Sequence, residues 1–249
     1  FKANADREYI IPEGVNSIDD YAFYDCDSLI SVTISKGVTK VDDYAFAQCN
    51  NLTMVDVPGS VTSLGNSVFQ NCENLSSVKL AEGLEKIKTF AFRGCRSLSE
   101  LHLPNSLKEI RTGAFEYCEK LSSITIPESI TTISQSLFSH CKNLEQVNLH
   151  ENIQEIEGAA FTHCTALESI KLPDNLTELG KSAFHSSGLN TITIPESITT
   201  ISQSLFFGCK NLEQVNLHEN IQEIHASAFE DCTALKSIKL TCDLRQLGE

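Results

Sequence analysis

Residues 121–144 read LSSITIPESITTISQSLFSHCKNL. Ile124 and Ile126 form an aliphatic pair at spacing two, and Pro127 closes it. Ile130 and Ile133 follow three apart, then Leu137 and Phe138, then Cys141 and Leu144. Period-two β-branched residues predict a short strand with one face inward. Pro is tolerated at a strand end but not within a central strand. The spacing of three from Phe138 to Cys141 predicts a 3₁₀ or single helical turn.

Moving outward, the same line recurs along the whole chain. Phe stands at 23, 46, 69, 92, 115, 138, 161, 184, 206 and 229, at steps of 23 except for 22 between Phe184 and Phe206. Leu recurs in phase from Leu29 to Leu235, and the inward strand pairs run from Val32 and Ile34 to Ile238 and Leu240. Such units expose an apolar face that each cannot bury alone. Stacking them at about 4.8 Å aligns the strands in one parallel sheet and puts Phe on Phe and Leu on Leu. In the short unit, AFHSSGL at 183–189, Ser187 stands at the Cys phase. A one-residue deletion that leaves both flanks in register lies in a loop, so a local dent is expected and not a break.

Ten cysteines would suggest a disulfide framework in a secreted chain. Here Cys26, Cys49, Cys72, Cys95, Cys118, Cys141, Cys164, Cys209 and Cys232 all keep the repeat phase, and Cys242 alone is off register. Side chains stacked in phase point the same way, whereas a disulfide needs Cβ atoms that face each other. They are read as buried, small, weakly donating hydrophobes, so they do not report the redox compartment.

The units LSSITIPESITTISQSLFSHC at 121–141 and LTMVDVPGSVTSLGNSVFQNC at 52–72 resemble the BspA-like leucine-rich repeat family. The resemblance covers about ten repeats. It implies a leucine-rich-repeat solenoid over 1–249 as a single domain, with short parallel β-strands on one face and short second strands and 3₁₀ or helical turns on the others. It also implies a secreted or cell-surface binding role of the adhesin kind, with no catalytic residues. No Asn follows the strand, so no Asn column is expected there. The first and last units lack a polar cap, so further repeats or domains are expected beyond this fragment.

Composition narrows the partners. The chain has 249 residues, 41% hydrophobic and 21% charged, in the range of globular proteins. A formal charge of −14 repels phosphate backbones and anionic lipid, so neither nucleic acid nor membrane is expected as a partner. No apolar run reaches the roughly 20 residues of a membrane span. Trp is absent, which excludes a Trp-lined sugar platform.

The outward strand-face positions are the candidate binding residues: Glu100, His102, Gln146, Asn148, His150, Lys171, Gln214, Asn216, His218 and Lys239. They are polar and vary from coil to coil. A rigid, extended solenoid face suits a protein or glycan on another cell or matrix. Part of this face is duplicated. Residues 124–156 recur at 192–224 with changes only at Ser139/Phe207 and His140/Gly208.

Other chemistry is weaker. His140 and His163 share a phase and could reach one metal ion, but His185 is one position off and the duplicate carries Gly208. No metal or cofactor is expected. Glu145, Glu151, Glu155, Glu213, Glu219 and Glu223 fall in open, like-charged rows, not in a cleft that would split their pKa values. Sequons at Asn51, Asn74 and Asn175 fit the repeat line and are weak evidence of glycosylation. The expected function is non-enzymatic recognition. The alternatives are an inert spacer presenting another domain, or the accessory region of an enzyme.

Overall fold

A computed structural model describes residues 8–240 and 244–248. The chain is a solenoid of 23-residue coils, numbered here from coil 1 with Phe23 to coil 10 with Phe229, followed by a part-coil. Two rows of strands run along it. The first contains Glu8–Ile10, Ser31–Thr33, Met54–Val57 and Ser77–Leu80, then Ser123–Thr125 with Gln146–Asn148, then Thr191–Thr193 with Gln214–Asn216. The second contains two-residue strands at the second aliphatic pair, from Ser17–Ile18 to Gln246–Leu247. All pairings are parallel, and partners such as Ser31 and Met54 or Ser123 and Gln146 are one repeat apart. Parallel strands in consecutive coils follow from a crossover that always turns the same way round one core.

That core is the set of inward columns. The rings from Phe46 to Phe206 are fully buried, stacked at 4.9–5.8 Å along the column from Phe23. Phe229 is half-buried. Eight thiols add a directional tie: each donates to the carbonyl of the Phe one coil back, from Cys49 on Phe23 at 3.0 Å to Cys232 on Phe206 at 3.1 Å. An S–H is a weak donor, but here it satisfies a carbonyl that water cannot reach. Burial pushes the thiols of Cys72, Cys95, Cys118, Cys141, Cys164 and Cys209 above the ordinary range, and that of Cys232 to about 12.

The nine described cysteines are unpaired. One departs from the expected burial: Cys26 is half-buried, its sulfur 3.6 Å from the Ser28 hydroxyl, because no described coil packs beneath it. Cys242 lies outside the described residues. Thiol labelling of the native chain is therefore expected to be fast at Cys26 and slow at the eight buried positions, because the core closes them to the reagent. Burial also disfavours the reactive thiolate at all of them but Cys49, where the hydrogen bond with Cys72 lowers the pKa. Equal rates at all nine would contradict the packing.

The segment around each Phe is not helical, and no helix occurs among the described residues. Each coil holds two residues at left-handed φ, four apart: Tyr44 (56°) and Gln48 (61°), Ser136 (54°) and His140 (61°), and so on through all ten coils. Gly fills the position only at Gly94, Gly113 and Gly208. Between them the N–H groups alternate. Ala47 donates to Tyr44 three residues back at 3.1 Å, whereas Phe46 and Gln48 donate to Val68 and Gln70 of the next coil at 2.9 and 2.8 Å. The expected 3₁₀ turn is thus realised as isolated three-residue turns. Left-handed non-Gly residues cost on the order of 1 kcal/mol each. The inter-coil bonds offset that cost by stitching this face together without interruption.

At the shortened unit the Phe column continues, with Phe184 and Phe206 parallel at 5.8 Å. The missing residue is absorbed after Ser187, where Gly188 donates to Cys164 at 3.0 Å and passes close to the Thr165 carbonyl. The Phe column therefore runs through the shortened unit unbroken.

The single sheet expected along the first row does not form. Coils 5 and 8 carry no strand at 100–103 or 169–172, and no hydrogen bond from a neighbouring coil reaches the main chain of 101–103 or 170–172. The second row also breaks twice, between Glu109–Ile110 and Thr132–Ile133 and between Glu178–Leu179 and Thr200–Ile201. Both rows are therefore open between coils 5 and 6 and between coils 8 and 9. At these two junctions the turn residues of adjacent coils are both Pro: Pro104 with Pro127, and Pro173 with Pro195.

Pro has no N–H to give the ladder. Elsewhere the turn residue after a Pro coil is Ser35, Ala81, His150 or His218, which keeps its N–H. In the second row, N–H groups such as those of Gly65 and Arg111 bond the previous coil, but at the junctions the hydroxyls of Ser134 and Ser202 take over, bonding Ile110 and Leu179. Coils 6 and 9 begin the two copies of the duplicated stretch, so Pro127 with Ser134 and Pro195 with Ser202, on one side of each junction, are duplicated residues.

Candidate functional site

The first-row strands place alternate residues outward, and Glu100, His102, Gln146, Asn148, Lys171, Gln214, Asn216 and Lys239 are all exposed. They fall into small groups. Gln146 donates to Asn148 at 2.8 Å, and Asn148 donates to the Thr125 hydroxyl at 2.9 Å. The copy repeats the chain, with Asn216 on Thr193 at 2.9 Å. Lys171 is paired with Glu151 at 3.0 Å, and that hydrogen bond raises the ammonium pKa and lowers that of the carboxyl. Glu151 also accepts the Asp174 N–H at 3.0 Å. Lys239 stands on the open row of the last part-coil.

His150 and His218 differ from the expectation. They are half-buried at the turn position, one step beyond the strand. His150 Nε2 lies 2.8 Å from the Pro127 carbonyl, and its Nδ1 accepts the Asn152 N–H at 3.2 Å. His218 accepts the Asn220 N–H in the same way. These two imidazoles brace turns and do not present themselves on the face. Extending the period-two alternation one residue too far put them outside.

Glu100 and His102 line a cleft. Between coils 5 and 6, where no ladder runs, 100–105 and 122–129 line a space of about 890 Å³; a space of about 900 Å³ also lies beside the paired strands of coils 1–3. The walls between coils 5 and 6 include Leu101, Leu103, Ser123, Thr125 and Glu128. A smaller cleft of about 420 Å³ between coils 8 and 9 is lined by Lys171, Asp174 and Thr191.

The face around Phe carries an aromatic column that the sequence reading weighed only for metal. Tyr117, His140 and His163 stack in successive coils at 4.3 and 4.5 Å, His185 meets His163 edge-on at 5.5 Å, and Phe207 lies on His185 at 4.9 Å. Stacking sets His140 and His163 in separate, nearly parallel planes, and no group of three or more His, Cys, Asp or Glu among the described residues could hold a metal ion. Arg93 and Arg96 lie over the Tyr117 ring, and Arg96 and Lys142 both pair with Glu119.

Burial first, and then the neighbouring His163, lowers the pKa of His140 and of His185; Lys142 lowers His140 further and Glu119 raises it. A His whose folded pKa is lowered is stabilising above its unfolded value of about 6.5, and loses that contribution as pH falls below it. Thermal stability is therefore expected to drop as pH falls from about 7.5 to 5.5. A His140→Gln, His185→Gln chain should show a flatter profile by differential scanning calorimetry. An unchanged profile would remove the column as its source.

The sequon asparagines serve the stack. Asn51, Asn74 and Asn175 donate side-chain N–H groups to carbonyls of the previous coil at 2.8, 2.7 and 3.2 Å, and Thr53 and Thr177 do the same through their hydroxyls. Asn152 makes the same bond without a sequon.

Comparison with known families identifies the whole array. The BspA type leucine rich repeat region matches in six copies, over residues 1–92, 68–184 and 143–249, and the chain belongs to this family. A leucine-rich repeat protein from Bacteroides ovatus is similar in structure, with TM-score 0.77 and 26% identity over 97% of this chain and 82% of that one. The leucine rich repeat protein of T. pallidum is similar at TM-score 0.63 and 29% identity, over 66% of this chain and 79% of that one. A leucine rich cell surface protein from Faecalibacterium prausnitzii shares the fold at TM-score 0.54 and 22% identity, over 94% and 87%. No curated protein sequence gives a significant match.

Proposed function

We propose that the chain is a non-enzymatic recognition module, secreted or at a cell surface, that binds protein or glycan on another cell or matrix through its first-row strand face. Family membership supports the interaction role. The carrying observation is the contrast within each coil: inward columns of Phe, Leu and Cys are near-uniform, whereas the outward positions run from Glu100 and His102 to Asn148 and Lys171, all exposed. The exposed carboxylates stand in open rows, so no acid–base pair is assembled on this face.

The test is capture. Immobilised chain is exposed to solubilised surface and matrix material of neighbouring cells and compared with a His102→Ala, Asn148→Ala, Lys171→Glu variant. These three side chains are exposed, so the variant should keep its fold. Capture by the original chain and loss in the variant is the expected result. Equal capture by both would remove the face from the account and favour a spacer.

A further inference from the structure

We propose that the opening between coils 5 and 6 is a docking site for an extended, basic peptide segment of the partner. This rests on reading the strand face as the recognition surface, and it assigns to that surface both a place and a ligand class. Three observations carry it. The main-chain N–H and C=O groups of 101–103 have no partner in either neighbouring coil, although the strands of coils 1–4 and of coils 6 and 7 in the same row are paired. An extended backbone supplies the alternating donors and acceptors that such groups lack, which is how peptides add to open sheets. The opening is also roomy, about 890 Å³.

Its charge then selects among peptides. Glu100 and Glu128 line it, no Lys or Arg does, and neither carboxylate has an ion-pair partner among the described residues. Other carboxylates nearby are matched: Glu85 by Lys108, Glu119 by Arg96 and Lys142, Glu151 by Lys171. Two unmatched acids beside unpaired backbone fit Lys or Arg side chains on alternate residues of a strand, which all leave on one face. Thr125 and Ser123 supply hydroxyls at the opposite wall. The comparable opening at coils 8 and 9 is about half as large, and its Lys171 and Asp174 N–H already hold Glu151. The site is therefore assigned to coils 5 and 6 alone.

Calorimetric titration of the full chain with three blocked hexapeptides tests this: (Thr-Lys)3, (Thr-Glu)3, and (Thr-Lys)3 N-methylated at every second residue. Only the unmethylated basic peptide is expected to bind. Glu100→Gln with Glu128→Gln should weaken it by about tenfold, two exposed ion pairs' worth. Glu145→Gln with Glu168→Gln, exposed acids elsewhere on the solenoid, should leave it unchanged. No binding of (Thr-Lys)3 overturns the proposal. So does equal binding of the methylated peptide, which would reduce it to bulk charge attraction, or equal weakening by the two double variants. Binding of a neutral oligosaccharide that is lost in the Glu100/Glu128 variant would also overturn it, by giving the opening to glycan. The two readings fail separately: the face falls if the triple variant captures normally, and the peptide falls if (Thr-Lys)3 gives no heat, whatever capture shows.

Discussion

Replacing Phe115 by Ala is expected to destabilise the chain by about 3–5 kcal/mol, the usual range for a fully buried ring. Phe115 has no exposed surface and stacks on Phe92 and Phe138 at 5.7 Å each. Its position makes the loss larger than a single contact suggests. Coils 5 and 6 share neither strand row, so at this junction the Phe column and the turn bonds, such as Phe115 N–H to Leu137 at 3.1 Å, carry most of the adhesion. Phe229→Ala should cost clearly less, because that ring is half-buried. Urea unfolding of the two variants against the original chain gives the comparison. Equal midpoints for both variants would mean that the column does not hold the stack.

Gly188→Ala is expected to cost about 2 kcal/mol or more, on the scale of overpacking a tight interior. A Cβ there would stand 2.1 Å from the Thr165 carbonyl oxygen and 2.8 Å from its carbon, and both are backbone atoms that cannot swing aside. The cause is the deletion: with one residue fewer, the chain takes a shorter path after Ser187 and presses on the coil beneath. The adjacent control is Ser187→Cys, which restores the column residue. Its oxygen now lies 3.4 Å from the Cys209 sulfur, and the site is 4% exposed. The control should be far less costly than Gly188→Ala in the same unfolding assay. A Gly188→Ala chain as stable as the original would place the missing residue's slack elsewhere.

The inward columns were legible because packing repeats its demand in every coil, so Phe, Leu and Cys keep one phase over the whole chain. Even the deletion could be placed, since Phe206 returns to register 22 residues after Phe184. The left-handed turns were hidden, because Tyr44, Gln48 and His140 carry no mark of positive φ; only Gly94, Gly113 and Gly208 in the same phases hinted at it. The junctions did leave a signal. Consecutive prolines at Pro104 and Pro127, and at Pro173 and Pro195, remove neighbouring ladder donors, but each Pro read singly looked like an ordinary strand end. Alternation points His102, Asn148 and Lys171 outward, and all three are exposed. It failed at His150, where the strand has already ended and the ring turns in to the Pro127 carbonyl.

The parallel ladder is continuous within blocks of coils, but its first row skips coils 5 and 8 and its second row is open at the two proline junctions. Residue-resolved native-state hydrogen exchange tests this most directly. Ile34, Ile126 and Ile194 donate to the next coil at 3.1, 3.1 and 3.0 Å, while Leu103 and Leu172 occupy the same phase with no such bond. Protection is expected to be high at the three isoleucines and lower by orders of magnitude at the two leucines, because amides without structural hydrogen bonds exchange through small openings. Equal protection at all five would show a closed ladder, and with it neither the junctions nor the opening between coils 5 and 6 would stand.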